Sequence, residues 1–150
     1  MKIDAVSLAN SAIAHYRKKA DHNKRESLFC FSIIVLFSLL SPMFVMLGEG
    51  IVMGKIIPSS LSLIVAASTA WLQLRKPQHL WAIYRDSQKK IEDVLCKYNF
   101  NLGEFNGTES DNNRLLADST RAIAWDTHNR WLPLVPNPES VMKKESEHTT

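Results

Sequence analysis

Two long apolar runs without a formal charge lie close together in this chain. The first covers residues 28–47 and the second covers residues 56–74. A helix rises about 1.5 Å per residue, so each run reaches about 28–30 Å, the hydrocarbon thickness of a bilayer. Backbone groups in lipid must bond within their own segment, and two such runs therefore predict a helical transmembrane hairpin. A soluble protein would rarely use two helices that are apolar on all sides.

The residues that flank the two runs predict the orientation of the hairpin. The connection 48–55 holds three glycines and one basic residue, Lys55. Five Lys or Arg residues precede the first run within 17–25, and five follow the second run within 75–90. Lys and Arg collect on the cytoplasmic side of membranes, so we expect a two-pass protein with both termini in the cytoplasm.

Three more helices are predicted outside the membrane, at 1–25, 78–100 and 108–132. The first has an apolar stripe formed by Ile3, Val6, Ala9, Ile13, Tyr16 and Ala20. Pro77 either kinks the second membrane helix or starts the helix at 78–100, whose stripe is Leu80, Tyr84, Ile91, Leu95 and Tyr98. Thr108 is a candidate cap for the last helix, whose stripe is Leu115, Ala122, Trp125 and Leu132.

These segments predict an all-α fold. A two-helix transmembrane hairpin would carry a cytoplasmic helical module, built from the N-terminal and C-terminal helices. The prediction is a single domain over residues 1–132, followed by a polar tail that contains prolines at 133–150. The module is small, so we expect self-association in a homo-oligomer to complete its core.

Catalytic chemistry is not indicated by the sequence. It contains no glycine-rich phosphate loop, no GxSxG segment, no CxxC pair and no HExxH, and its five histidines have no ligand-like spacing. We therefore expect no enzyme activity, no cofactor and no metal site. A net charge of +3 is too small to indicate binding to nucleic acid.

Small and hydroxyl-bearing side chains share one face of the second membrane helix: Ser59, Ser62, Ala66 and Thr69. Two interpretations are open. Small residues let helices pack closely, so the face could hold the hairpin together, with its hydroxyls bonded to carbonyls of the previous turn. Alternatively, the face could line a pore in an oligomer.

Aromatic and basic residues also accumulate on the two C-terminal helices: Tyr84, Arg85, Arg121, Trp125 and Arg130. Arginine binds phosphate in forked pairs and aromatic rings stack, so these residues are candidates for binding an anionic ligand that contains rings. The alternative is structural. Tyr84 and Trp125 would then anchor the core, and the basic residues near Pro77 would follow from the membrane orientation.

The order of these segments resembles the SLATT proteins, two-transmembrane effectors of bacterial nucleotide-signalling defence systems. The resemblance covers about residues 10–132 and rests on HYR at 15–17, WAIYR at 81–85 and WDTHNRW at 125–131, placed around the two close membrane runs. Gln88-Lys89-Lys90 stands where the family pattern would have acidic residues.

The resemblance implies an antiphage-defence effector in the bacterial inner membrane. Such a protein would oligomerise and perforate or depolarise the membrane on a signal, usually a cyclic oligonucleotide made by a partner nucleotidyltransferase. Its partners would be the lipid bilayer, copies of itself and that signal. Two alternatives are a non-conducting membrane anchor or assembly subunit, and a small ligand-gated ion channel outside defence.

Overall fold

The computed structural model describes residues 4–135 and contains four α-helices. They are α1 (Ala5–Leu47), α2 (Ile57–Arg75), α3 (Pro77–Asn99) and α4 (Glu109–Trp131). A π-helical turn, Val52–Ile56, leads into α2, and a 3-10 turn, Leu132–Leu134, follows α4. No strand occurs in the described range, and the predicted all-α fold is confirmed. Ile3 of the first predicted stripe and the tail from residue 136 lie outside the described residues.

Helix α1 is one rod of 43 residues, about 65 Å long. The sequence suggested two helices here, at 1–25 and 28–47, but the structure joins them without a break. Between Ala5 and Leu47 the chain has no glycine and only one proline, Pro42, so nothing interrupts the helix where it leaves the apolar run. A displacement of one end of α1 would therefore be transmitted to the other end.

Helices α1 and α2 form an antiparallel hairpin. The side of α2 that faces α1 is marked by half-buried residues at helical spacing, Leu61, Val65, Ser68 and Leu72. The most apolar stretches of both long helical segments are almost wholly unburied. Large side chains such as Met46 and Leu63 are 86% and 72% exposed. A core helix of a soluble protein would bury such groups, so the exposure favours a membrane hairpin.

Lys76 separates α2 from α3. Its backbone is left-handed, with φ 47° and ψ 49°, and its N–H still donates to the carbonyl of Leu72 at 3.0 Å. Pro77 is the first residue of α3, where its missing N–H has no consequence for helix bonding. Of the two alternatives for Pro77, the structure therefore shows the start of a new helix.

A helical module is formed by the N-terminal half of α1 together with α3 and α4. Its apolar core contains Ala5 and Ala9 of α1, Ile91 of α3 and Leu116 of α4. Phe105 from the connection between α3 and α4 covers the end farthest from the hairpin. The alanines let α3 and α4 approach α1 closely, because a small side chain leaves room for the neighbouring helix.

The buried face of α4 is partly polar. Thr127 is buried and its hydroxyl lies 2.6 Å from the Ser87 hydroxyl of α3, while Thr120 donates to the carbonyl of Leu116 at 2.8 Å. Asn112 donates to the carbonyl of Phe105 at 3.2 Å. These bonds satisfy groups that would otherwise be costly to bury.

The apolar stripe predicted on α4 is wrong in part, because the helix is rotated relative to it. Trp125 is 67% exposed, and Ala122 and Leu132 are exposed as well. The structural alternative for Trp125, a core anchor, is therefore incorrect. Thr120 and Thr127 occupy the inner face in its place.

A network of charges joins the outer edges of α3 and α4. Asp86 of α3 accepts from Arg130 of α4 and lies 3.1 Å from Lys90, which reaches Asp126 at 3.6 Å. The hydrogen bond from Arg130 and then the one from Lys90 hold the pKa of Asp86 below its ordinary value of 3.8. The same pairing raises the pKa of Arg130. The network therefore stabilises the charged forms of Asp86 and Arg130 in the folded state.

Leu116→Ala tests whether the module core stabilises the protein. Leu116 is fully buried, so the substitution removes buried methyl groups and leaves a cavity, and unfolding should become easier by about 2–5 kcal/mol. Leu102→Ala is the matched control, because Leu102 is 53% exposed and its loss should change little. Helical circular dichroism of the whole chain in mild detergent, followed against denaturant, measures both. Equal effects of the two substitutions would contradict this core.

Asp86→Asn tests the charge network and its dependence on pH. A carboxylate with a lowered pKa stabilises the fold above its unfolded pKa, and that stabilisation is lost as the pH falls below about 4. The side chain is 41% exposed, so solvent screening limits the effect at pH 7 to about 0.5 kcal/mol. The stability difference from the natural protein should vanish at low pH. Asp93→Asn, within the isolated α3 pair Asp93–Lys97, is the control for the loss of one carboxylate outside the network.

Candidate functional site

The arginines predicted to bind a ligand already have carboxylate partners. Arg85 contacts Asp21 of α1 at 3.0 Å and Arg121 contacts Asp118 of its own helix at 3.0 Å. Arg130 belongs to the network with Asp86. A ligand phosphate at any of these positions would have to compete with an existing ion pair.

The two predicted aromatic residues are in different environments. Tyr84 is buried and stacks on Tyr16 of α1, with ring centroids 6.2 Å apart. Burial, and then the proximity of Tyr16, raises the pKa of Tyr84, which stays neutral. Trp125 lies on the exposed side of α4, beside His128 at 5.7 Å. Arg121 lines a separate cleft with Leu8 and Ala12, so the five predicted residues do not converge on one surface.

The structure instead brings basic and aromatic groups together where α2 meets α3. We call this open cleft of about 640 Å³ the junction cleft. It lies between the middle of α1, the end of α2, the start of α3 and the end of α4. Its lining residues are His15, Lys18, Lys19, His22, Asn23, Arg75, Leu80, Tyr84, Trp131, Leu134 and Val135.

The lining of the junction cleft is positively charged. Lys18, Lys19 and Arg75 contribute three cations, and no lining residue is a carboxylate. The ammonium of Lys19 lies 5.4 Å from the centroid of the Tyr84 ring. Of the predicted ligand residues, Tyr84 alone lines this cleft. In the sequence, the cations near the membrane runs indicate only an orientation, and their spacing does not indicate that they converge.

Asn23 also lines the junction cleft, but its side chain is almost wholly buried. It is 5% exposed, and its Nδ2 donates to the carbonyl of Lys19 at 2.8 Å. Its Oδ1 has no hydrogen-bond partner among the described residues and is screened from solvent. A buried acceptor left without a donor costs about 1–3 kcal/mol of stability.

Glu26 connects α1 to α2 at the edge of the same cleft. Its Oε1 accepts from Trp71 Nε1 at 2.7 Å and from Arg75 Nη1 at 3.0 Å. The Glu26 side chain is only 15% exposed, so this contact is partly shielded from water. Arg75 therefore has two roles: it holds Glu26, and it lines the junction cleft.

The small-residue face of α2 does not point into the hairpin. Ser59, Ser62 and Ala66 are exposed, and Thr69 is half-buried. The hydroxyls of Ser62 and Thr69 donate to the carbonyls of the previous turn at 2.9 Å. Leu61, Val65, Ser68 and Leu72 face α1 instead, so close packing within one chain does not account for the exposed Ser59, Ser62 and Ala66.

Metal-ligating groups do not cluster within residues 4–135: no three His, Cys, Asp or Glu side chains are placed to share an ion. The two cysteines, Cys30 and Cys96, are free thiols.

Comparison with known families gives one match that covers nearly the whole chain. The model of the SMODS and SLOG-associating 2TM effector domain 1, a SLATT family, matches residues 9–148. The match includes much of the region interpreted above as a tail. Searches of curated proteins and of solved structures find no match to this chain. The two exposed apolar helices agree with the two transmembrane segments in the family description. The chain belongs to the family of SMODS and SLOG-associating 2TM effectors and is a two-pass membrane effector of the defence-associated kind.

Proposed function

We propose that this effector oligomerises and perforates or depolarises the bacterial inner membrane when its helical module receives a signal. The family association with SMODS and SLOG proteins supports a nucleotide signal, and a cyclic oligonucleotide from a partner nucleotidyltransferase is the proposed class. The observation that carries the proposal is the exposed small-residue face of α2.

Oligomerisation follows from the geometry of the hairpin. Two packed helices enclose no aqueous path, so a conducting state requires several copies. Small residues allow helix backbones to approach closely in lipid, and the face with Ser62 and Ala66 is unused within one chain. We therefore propose that this face contacts a neighbouring copy or lines the path between copies.

Both termini are proposed to lie in the cytoplasm. The basic residues before the first run and after the second support this orientation, since the connection between the runs has one basic residue. The helical module would then lie on the side where a cytoplasmic nucleotide is available.

A non-conducting anchor for a partner protein is the second candidate function. A row of rings on α4 favours it, because Trp125, His128 and Trp131 follow one another with centroids 5.7 Å and 6.0 Å apart, and Trp125 and His128 are exposed. An anchor would retain its partner at the membrane and produce no ion flux.

Cysteine labelling tests the orientation. Glu49→Cys in the hairpin connection should react with an impermeant maleimide in intact cells, because this connection is placed outside. Glu104→Cys, between α3 and α4, should react only after lysis; both glutamates are exposed, which makes the pair matched. Cys30 and Cys96 are replaced by Ser in both proteins. Labelling of Glu104→Cys alone in intact cells would contradict the orientation.

Leucine substitutions on α2 test the proposed contact between copies. Ala66→Leu adds bulk to the small-residue face, and overpacking costs about 1–3 kcal/mol, so oligomer formation should fall roughly 5- to 150-fold. Ala67→Leu is the control, because Ala67 is also exposed but lies on another face.

Cross-linking in nanodiscs measures the oligomer, and liposomes loaded with an ion-sensitive dye measure flux. We expect Ala66→Leu to reduce both at normal membrane abundance, and Ala67→Leu to reduce neither. Equal behaviour of the two variants would remove this face from the mechanism, and absence of flux from the natural protein under every tested signal would favour the anchor.

A further inference from the structure

We propose that the junction cleft binds a phosphate-bearing ligand, and that the ligand's anionic oxygens replace Glu26 as the partner of Arg75. The junction cleft would be the binding site for the signal of the proposed function. This proposal rests on that function only for the effect that binding has on the membrane. Binding itself is a property of the helical module and the end of α2.

Charge is the first argument. Lys18 and Lys19 form no ion pair within the described residues, and the cleft lining contains no carboxylate that could neutralise them. Most other charged side chains of α3 and α4 are paired, as in Asp93–Lys97 and Arg121–Asp118. Two unpaired ammonium groups beside a guanidinium in a concave surface attract a compact anion, and a phosphate group offers enough oxygens to contact all three.

The aromatic lining of the cleft is the second argument. Tyr84 and Trp131 add ring surface to the same cleft, so an apolar or flat group could also be covered. Nucleotides and glycerol-phosphate headgroups of lipids share this chemistry.

Arg75 is the third argument, because it links the cleft to the membrane hairpin. It is the last residue of α2, and its contact with Glu26 fixes that end to α1. A phosphate in the cleft would compete for the same guanidinium. If Arg75 turns to the phosphate, the carboxylate keeps Trp71 as a donor but loses its cation, and the contact between α1 and α2 weakens.

Two substitutions in one ion pair give opposite predictions. Arg75→Gln removes a charge-assisted bond to the phosphate and should weaken binding roughly 10- to 150-fold. Glu26→Gln removes the competitor and should tighten binding, by roughly 2- to 10-fold. If the pair were merely structural, both substitutions would loosen the cleft and weaken binding together.

The remaining cleft residues are tested with matched controls. The double substitution Lys18→Gln with Lys19→Gln should weaken binding at least about tenfold, since each lysine contacts the phosphate. Lys89→Gln with Lys97→Gln removes the same charge outside the cleft and should leave binding within about twofold, since a screened distant charge contributes little.

The probes separate the two sources of phosphate. The whole chain is placed in phosphatidylcholine nanodiscs, and adenosine diphosphate is titrated by calorimetry. In parallel, the chain is placed in nanodiscs that also contain phosphatidylglycerol, and native mass spectrometry counts the lipid retained. Binding of the diphosphate that follows the variant order assigns a soluble ligand, and retention of phosphatidylglycerol in that order assigns a lipid.

Binding of neither probe, or binding that is insensitive to Arg75→Gln and to the Lys18/Lys19 substitution, would overturn the inference. Liposome flux is measured on the same proteins so that the two proposals fail separately. Cleft-dependent binding without any flux would contradict the proposed function alone. Flux without cleft-dependent binding would contradict the inference alone.

Discussion

Backbone hydrogen bonding in lipid is the constraint on which the rest of this structure depends. Water is absent from the bilayer core, so every peptide group of the two apolar runs must bond within its own helix. Helix α1 meets this requirement and continues without interruption into the module, since no glycine or proline stands at the membrane boundary. Helix α1 therefore belongs both to the membrane hairpin and to the helical module. The helical break lies in the other arm of the hairpin, between α2 and α3, at Lys76 and Pro77. Because of this break, α3 takes its own position beside α1.

Polar contacts join the helices at the boundary between the membrane hairpin and the helical module, because the helices that pack on α1 change there. Below it, α2 packs on α1; beyond it, α3 and α4 pack on the same helix. Glu26, Trp71 and Arg75 join α1 to α2 at this level, and Arg85 with Asp21 joins α1 to α3. The boundary is therefore the level at which a charged ligand in the junction cleft would meet the contact between α1 and α2.

The sequence predicts most of the fold, because its strongest signals are local. Uncharged length locates α2 and the apolar half of α1, the fixed φ of Pro77 starts α3, and Thr108 caps α4 by accepting from the N–H of Asp111 at 3.3 Å. The rotation of α4 was not predictable in the same way. Hydrophobicity placed Trp125 inside, whereas the structure buries Thr120 and Thr127, whose hydroxyls find partners on their own helix and on α3. Such pairs depend on contacts across the fold and leave no periodic signal.

The residues of the junction cleft could not be predicted from the sequence in the way that the helices could. The proposed orientation, with both termini in the cytoplasm, would account for the number of cations near the boundary. It does not account for the convergence of Lys18, Lys19 and Arg75 on one cleft whose lining residues include no carboxylate. Because Arg75 contacts Glu26 and lines the cleft at once, the proposed exchange of its partner requires no helix to move through lipid. A signal that acts on this residue needs to change only one ion pair to alter how α2 is held.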